Sequence, residues 1–538
     1  MTAARLAPFT DPGQAATWLA LRQIRRGAAV VLAVAAVMPA MVAATYDKVT
    51  RDPAALAGLD ALAGNAAIRT IFGEPIALNE AGGFTVWRLG TVLAAILGVW
   101  TITATTRITR GEEDPGRWDI LLAGRLPLRT VLTRHLAVVA TAPVAAGAAI
   151  TAVLLALGGP DHVGALLHGG GMALLGLFAG AVAAVTTQVF PSRAPATGAA
   201  VGVLGMGLLI RMAGDGVEAL SWLRWLSPFG LLEISAPYGA NRLLPLIVLA
   251  AATAACYGAA LLAAGRRDVG GGVLATASAR RARLWLLTST ETFAVRRLLG
   301  PLAAWAAGIT AYFLIIGLTA TSLTGFLTDN TAFTDRAAQA GFAGLNTVNG
   351  FAAALFGLLA MPVGAFTAVR LTAFMTAESS RRLTLLAAQP VSRLRLLTSE
   401  TAVTFGGALV LLFVAAVSMW AGVTTAGGGL TLTAALAGAF NIAPIVLLCL
   451  GAALLAAGCT PAAVIHIGSL PATGGFLLKV VADSTGAPDW VSALSPFAHL
   501  HAVPLAGVDW PSTGAMTALA TLLAVAGAVG YQRRDLRG

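Results

Sequence analysis

The residues best placed to do chemistry stand in two short charged stretches. RGEEDPGRWDILLAGRLPLR, residues 110–129, carries eight charged side chains in twenty positions, in a chain whose charged fraction is 11%. Its leading groups are Glu112, Glu113, Asp114, Arg117 and Trp118. A second stretch, TAESSRRLTLLAAQPVSR, residues 376–393, holds Glu378, Arg381 and Arg382. The acids and arginines of the first stretch keep it in the cytosol. Asp114 before Pro115 predicts an N-cap followed by proline at the first helical position, and Gly124 a stop, so a short helix is expected over 115–123. Glu112 and Glu113 then sit near its positive end. Trp118, Leu121 and Leu122 are its apolar residues and need a cover, either the chain's own helices or a partner's groove.

Other chemistries find little support. A P-loop needs a lysine within GxxxxGK[ST], and the only lysines, Lys48 and Lys479, stand in TYDKVT and FLLKVV, so no ATP site of that kind is expected on this chain. The six histidines are scattered, and His499 and His501, two apart, are too permissive a spacing for a metal site; no metal and no catalytic residue is expected. The three cysteines, Cys256, Cys449 and Cys459, read as small thiols in apolar spans. A net charge of +11 could suggest nucleic acid, but the arginines lie in short loops beside apolar runs, without the interleaved aromatics of a nucleic-acid surface.

The elements that must position the charged stretches are membrane helices. Hydrophobic residues make up 57% of the chain, glycines number 61, and the mean hydropathy is +0.81. Runs of about 18 or more apolar residues cross a hydrocarbon core of about 30 Å. Twelve are predicted, near 27–46, 86–107, 136–158, 163–189, 195–212 and 243–264, then near 301–322, 350–371, 402–423, 432–458, 462–481 and 513–531. No sustained period-two alternation suggests a barrel. Arg22, Arg25 and Arg26, the six arginines from Arg107 to Arg134, and Arg266 and Arg267 fall in alternate loops, which puts these loops and both termini in the cytoplasm.

Several patterns recur in order. LRWLSPFGLLE is matched by SALSPFAHLH, GRRDVGGG by YQRRDLRG, and RWDILLAGRLPLR by RRLTLLAAQPVSR. The fold expected is therefore an all-α polytopic membrane protein of about twelve transmembrane helices, arranged as two parallel six-helix repeats fused in one chain. The halves would be residues 1–268 and 301–538, with 269–300 a cytoplasmic linker. Two interfacial helices are expected, one carrying Trp18, Arg22, Arg25 and Arg26, the other running from Trp285 to Arg296 and Arg297.

NAAIRTIFGEP, GGFTVWRLG, TRGEEDPGRWDILLAG, LSPFGLLEISAPYGANRLLPL and GRRDVGGGVL together resemble the permease subunits of bacterial ABC exporters of the polyketide-antibiotic export group, relatives of ABC-2 type permeases. The likeness covers most of the first half and, more loosely, the second. It implies a drug-efflux role in antibiotic resistance: export of amphiphilic drugs, antibiotics or lipids across the bacterial cytoplasmic membrane. It also implies two copies of a separate ABC ATP-binding subunit, which would carry ATP and Mg; no cofactor is expected on this chain. On the same likeness Glu112, Glu113, Asp114, Arg117 and Trp118 form a first coupling site, and Glu378, Arg381 and Arg382 a second, weaker one.

The alternative is a secondary, proton-coupled multidrug transporter with six plus six helices. Such exporters usually place carboxylates inside the membrane, and no Asp or Glu falls in the middle of a predicted span; His135 and His466 are the nearest candidates for a relay. A lipophilic substrate would meet an apolar cavity between the halves, for which Trp100, Asn349, Phe351, Phe356 and Asn441 are candidate linings.

Overall fold

The computed structural model describes residues 12–50, 65–124, 126–273, 285–329, 344–379, 389–485 and 488–534. Among these residues all regular structure is helical, and twelve helical stretches are long and apolar enough to cross a membrane, one at each predicted position. The protein is an all-α, multi-pass membrane protein. Its chain forms two compact units, residues 1–280 and 281–538.

The first unit is built from α1 (Pro12–Thr50), α2 (Ala66–Phe72), α3 (Ala81–Ile108), α4 (Arg110–Glu113), α5 (Arg117–Leu122), α6 (Leu128–Leu157), α7 (His162–Val189), α8 (Arg193–Gly216), α9 (Pro228–Ile234) and α10 (Leu244–Ala264). α7 is its centre, packing against α3, α6 and α10. Glycine makes this possible: a Cβ on Gly147 of α6 would stand 2.4 Å from the Gly169 carbonyl of α7. Leu97, Ile150, Leu154, Met172 and Leu175 then interdigitate at under a tenth exposure. Lipid tails are as apolar as these side chains, so close packing rather than water exclusion holds the helices together.

The second unit contains α11 (Thr290–Asp329), α12 (Val348–Ser379), α13 (Arg393–Thr425), α14 (Leu432–Asn441), α15 (Ala443–Cys459), α16 (Val464–Ser469), α17 (Gly475–Thr485) and α18 (Trp510–Arg533). α11 packs on α13 and α15 on α18. At the first contact Gly317 faces Gly422, whose added Cβ would lie 2.9 Å from the Gly317 Cα.

The residues expected on two interfacial helices fall on longer elements or beside them. Trp18, Arg22, Arg25 and Arg26 lie in the first turns of the continuous 39-residue helix α1. Ala16, Ala20 and Ile24 carry the buried stripe of that helix onward, Ala20 and Ile24 in one cluster with Ala104, Ile108, Val138 and Val139, so nothing breaks it before the span. Trp18, Arg22, Arg25 and Arg26 are on its exposed side, the Arg22 guanidinium 5.4 Å from the Trp18 ring. Trp285 precedes α11 in a turn, while Arg296 and Arg297 stand in the first turns of the 40-residue α11.

Candidate functional site

Glu113 closes α4 at the foot of the second span, and its surroundings decide what the charged loop does. The side chain is 1% exposed. Its Oε1 accepts from Arg267 Nη1 at 2.5 Å and from the Gly270 N–H at 2.8 Å, and its Oε2 from Arg267 Nη2 at 2.8 Å. Arg110, wholly buried, stands 3.1 Å from the same carboxylate. Its Nε donates to the Thr187 carbonyl and its Nη2 to the Gly271 carbonyl, each at 2.5 Å. Arg267 Nε donates to Gln188 Oε1 at 2.7 Å. The fork of Arg267 matches the carboxylate oxygen for oxygen, which lysine could not do.

The glycines after this arginine pair are required by the geometry. Gly270 has φ +80°, and a Cβ on Gly272 would come within 2.7 Å of the Val189 carbonyl. GRRDVGGG is therefore strapped along the end of α7, its Val273 N–H donating to the Gln188 carbonyl at 2.9 Å. One carboxylate locks three elements together: the end of α3 and α4, the end of α7 and the segment following α10.

Outside this latch the loop presents a surface. The expected cap is corrected: Gly116, at φ +75°, precedes α5, and Asp114 instead accepts the Arg193 N–H at 2.9 Å at the start of α8. Trp118 is 1% exposed, packed among Val131, Leu132, Leu136, Ala184, Ala260 and Ala264, with its ring centroid 5.4 Å from that of His135. Leu121 and Leu122 lean on the same cluster, so the chain's own helices cover these apolar side chains. Ile120 does the opposite and is 79% exposed. Beside it Asp114, Arg117 and Asp119 are exposed, and Arg117 pairs with Glu112 at 2.8 Å. Of the five residues expected to couple, Glu113 and Trp118 face inward; Asp114 and Arg117 face out, with Glu112 half-buried between.

The second unit has a related arrangement. Glu378, one residue from the end of α12, bonds Arg534, and its Oε2 accepts from Tyr531 Oη at 2.7 Å. Arg534 Nη1 also donates to the Ala457 carbonyl at 3.1 Å, tying α12 to α15 and α18. Arg381 and Arg382 lie outside the described residues.

The family model for the C-terminal domain of the multidrug efflux system permease Rv1217c matches residues 14–264 and 287–532. The chain belongs to this family of multidrug efflux permeases. It is also 29% identical over 489 residues, 89% of this chain and 86% of the relative, to the multidrug efflux system permease protein Rv1217c of Mycobacterium tuberculosis (strain ATCC 25618 / H37Rv).

The permease's other expected residues fall within one unit or the other. Phe356 is fully buried in the second unit, stacked 5.7 Å from Phe313, and Phe351 is buried too. Asn441 spends its amide on the His501 carbonyl at 2.9 Å, Asn349 is exposed, and Trp100 packs within the first unit over Gly27. His135 is buried, with Nδ1 2.8 Å from the Val131 carbonyl.

Two charge clusters escaped the sequence reading because their partners are distant along the chain. Arg211 in α8 is 2% exposed and faces Asp215 at 3.4 Å and Glu233 at 3.7 Å. Arg370 in α12 donates to Glu400 in α13 at 2.5 Å, with Arg297 3.6 Å from the same carboxylate. A lone arginine in an apolar run, as in GLLIRMAG or AFTAVRLTAF, was the available signal, since a membrane charge without a partner is costly.

Proposed function

We propose that this permease is the membrane subunit of an ATP-driven ABC exporter of the polyketide-antibiotic, ABC-2-like group, and that it moves amphiphilic drugs, antibiotics or lipids out across the bacterial cytoplasmic membrane. Two copies of a separate ATP-binding subunit, holding ATP and Mg, would dock beneath it, with both termini on the same cytoplasmic side. The observation that carries the reading is the split character of the charged loop. Its outer edge, Asp114, Arg117, Asp119 and Ile120, is exposed, while Glu113 roots it to Arg267 and Asp114 to the start of α8. A push on that edge moves the ends of α3, α8 and the segment after α10 together. The second coupling site would use Glu378, Arg381 and Arg382.

Paired geometry supports the two-repeat architecture. Ser227 Oγ donates to the Gly207 carbonyl at 2.6 Å and Ser495 Oγ to the Gly475 carbonyl at 2.7 Å, each twenty residues back, and each serine caps the turn that follows. Glu113 with Arg267, and Glu378 with Arg534, form a second matching pair.

The proton-coupled alternative draws on one observation: Asp215 and Glu400, outside the predicted spans, are buried in helices long and apolar enough to span. Both face arginines. Reconstitution separates the readings. The ATP-binding candidate should co-purify with the wild type and drive uptake into inverted vesicles, and Ile120→Glu with Arg117→Glu should lose both. Transport driven by a proton gradient without nucleotide overturns the ATP-driven reading.

A further inference from the structure

A cavity of about 60 Å³ opens in the first unit at the end of α3 opposite the latch, floored by His168 and Thr91 and walled by Trp87, Phe229, Arg211 and Glu233. Thr91 and Arg110 are nineteen residues apart, about 29 Å along the helix. We propose that this cavity seats the protonated amine of a cationic amphiphile, with Glu233 as its counter-ion.

Arg211 lies 3.4 Å from Asp215 and 3.7 Å from Glu233 Oε2 without making a hydrogen bond to either, while Arg224, 4.0 Å from Asp215, is engaged with Glu74 at 2.7 Å. A buried carboxylate oxygen without a hydrogen bond is costly, and a bound N–H donor relieves that cost. Arg211 is held by other groups: it donates to the Thr70 and Ile71 carbonyls, each at 3.2 Å, and to Thr91 Oγ1 at 3.3 Å.

Unpartnered acceptors give the ligand its chemistry. Glu233 Oε2 and His168 Nδ1 are buried without a hydrogen-bond partner, although the other Glu233 oxygen accepts from the Glu74 N–H at 2.5 Å. His168 is 3% exposed. The carboxylate oxygen calls for a donor, which a primary or secondary ammonium supplies, and neutral His168 offers Nδ1 as a second acceptor in its Nε2–H tautomer. A quaternary ammonium has none to offer, and an anion would meet the carboxylates.

The walls suit a cation with an apolar body. Trp87 is fixed by its indole N–H, which donates to the Gly73 carbonyl at 3.1 Å, and its ring stands 5.4 Å from that of Phe72. Aromatic faces attract an ammonium by about 1–2 kcal/mol when water is excluded. A water needs roughly 10–15 Å³, so the cavity holds an amine head and not a whole drug. Phe72 and Glu74, both exposed at the rim, leave a way out for the tail.

Binding does not depend on the exporter reading; only the pocket's place on an export route does. The test therefore uses the purified permease in lipid nanodiscs, without ATPase or nucleotide, and measures binding of hexylammonium by equilibrium dialysis against hexanol, hexanesulfonate and sodium. Saturable binding of hexylammonium alone is expected. Glu233→Gln should raise its Kd about tenfold, as for loss of a charged hydrogen bond. Trp87→Leu should weaken it severalfold at an unchanged melting temperature, which keeps the test valid should Glu233→Gln fold poorly. Equal binding of hexanol, displacement by sodium, or hexylammonium affinity unaltered in folded Trp87→Leu protein overturns the proposal. Transport failing while this binding persists would count against the exporter reading alone.

Discussion

Removing the charge of Glu113 should unlock the foot of the first unit. Glu113→Gln keeps the shape and one acceptor but leaves Arg110 and Arg267, whose side chains are 0% and 4% exposed, without a counter-charge. Deleting one partner of a buried ion pair costs about 3–5 kcal/mol, because the surviving charge stays desolvated. For a body of this size about 2 °C of melting temperature accompanies each kcal/mol, so a fall of ~6–10 °C is expected. Glu112→Gln is the internal control. Its partner Arg117 is 63% exposed, and such surface pairs contribute about 0–1 kcal/mol, so it should melt within about 2 °C of wild type. The double variant Glu113→Gln with Arg267→Gln should lose less than the two single variants added together, since it removes the stranded guanidinium as well. Thermal unfolding of the detergent-solubilised permease, followed by fluorescence-detected size exclusion, reads all four. Equal melting of Glu113→Gln and Glu112→Gln, or strict additivity in the double variant, would refute the latch.

Tyr531→Phe should weaken the Glu378 cluster by about 1 kcal/mol, the usual net worth of one hydrogen bond, and Glu378→Gln by more, since Arg534 then loses its carboxylate; the same melting assay ranks them. Gly422→Val should separate α11 from α13, because even a Cβ there would lie 2.6 Å from the Leu314 carbonyl; a severe loss of folded yield is expected, whereas Gly429→Val, with open space around it, should express normally. The Asp161 carboxyl is held below its ordinary value of 3.8, first by the Asn241 amide at 2.8 Å and then by the Gly164 N–H. A lowered folded-state value means that its contribution is complete above pH 3.8 and is lost as the pH falls through the folded value. The melting difference between wild type and Asn241→Ala should therefore shrink in acid, and a difference that grows there would contradict the assignment.

The spans were legible because a membrane helix must be continuously apolar over about 20 residues, whatever it packs against. Their true ends were less so. Ala16, Ala20 and Ile24 extend the buried stripe of α1 past Arg25 and Arg26, and hydropathy sees the arginines before it sees the stripe. The charged loop was legible as a site, but the role of each residue was not. Glu112, Glu113 and Asp114 are adjacent acids that face a surface arginine, a buried arginine and a backbone N–H from another helix. That division depends on Arg267 and Arg193, far along the chain, and no local pattern encodes it. Ile120 was hidden for a related reason: it sits among Trp118, Leu121 and Leu122, and only helix phase distinguishes the one that points outward.

α3 gives these distant features a common physical frame. Gly90, Thr91 and Ala94 near its start line the amine pocket, and the helix runs on to Thr109, where a single irregular residue turns it into α4 and the latch. A helix of this length packed along α7 by buried Leu93, Leu97, Thr101 and Thr105 moves as a rod, because shearing it would open voids beside every one of them. On the exporter reading, a displacement at Ile120 therefore reaches the pocket by rigid translation, with no chain of side-chain rearrangements between. The two ends should then be separable by mutation: Ile120→Glu should leave hexylammonium affinity intact while abolishing nucleotide-driven transport. Glu113→Gln, which frees the foot of the rod, should uncouple nucleotide hydrolysis from transport even where the partner still binds.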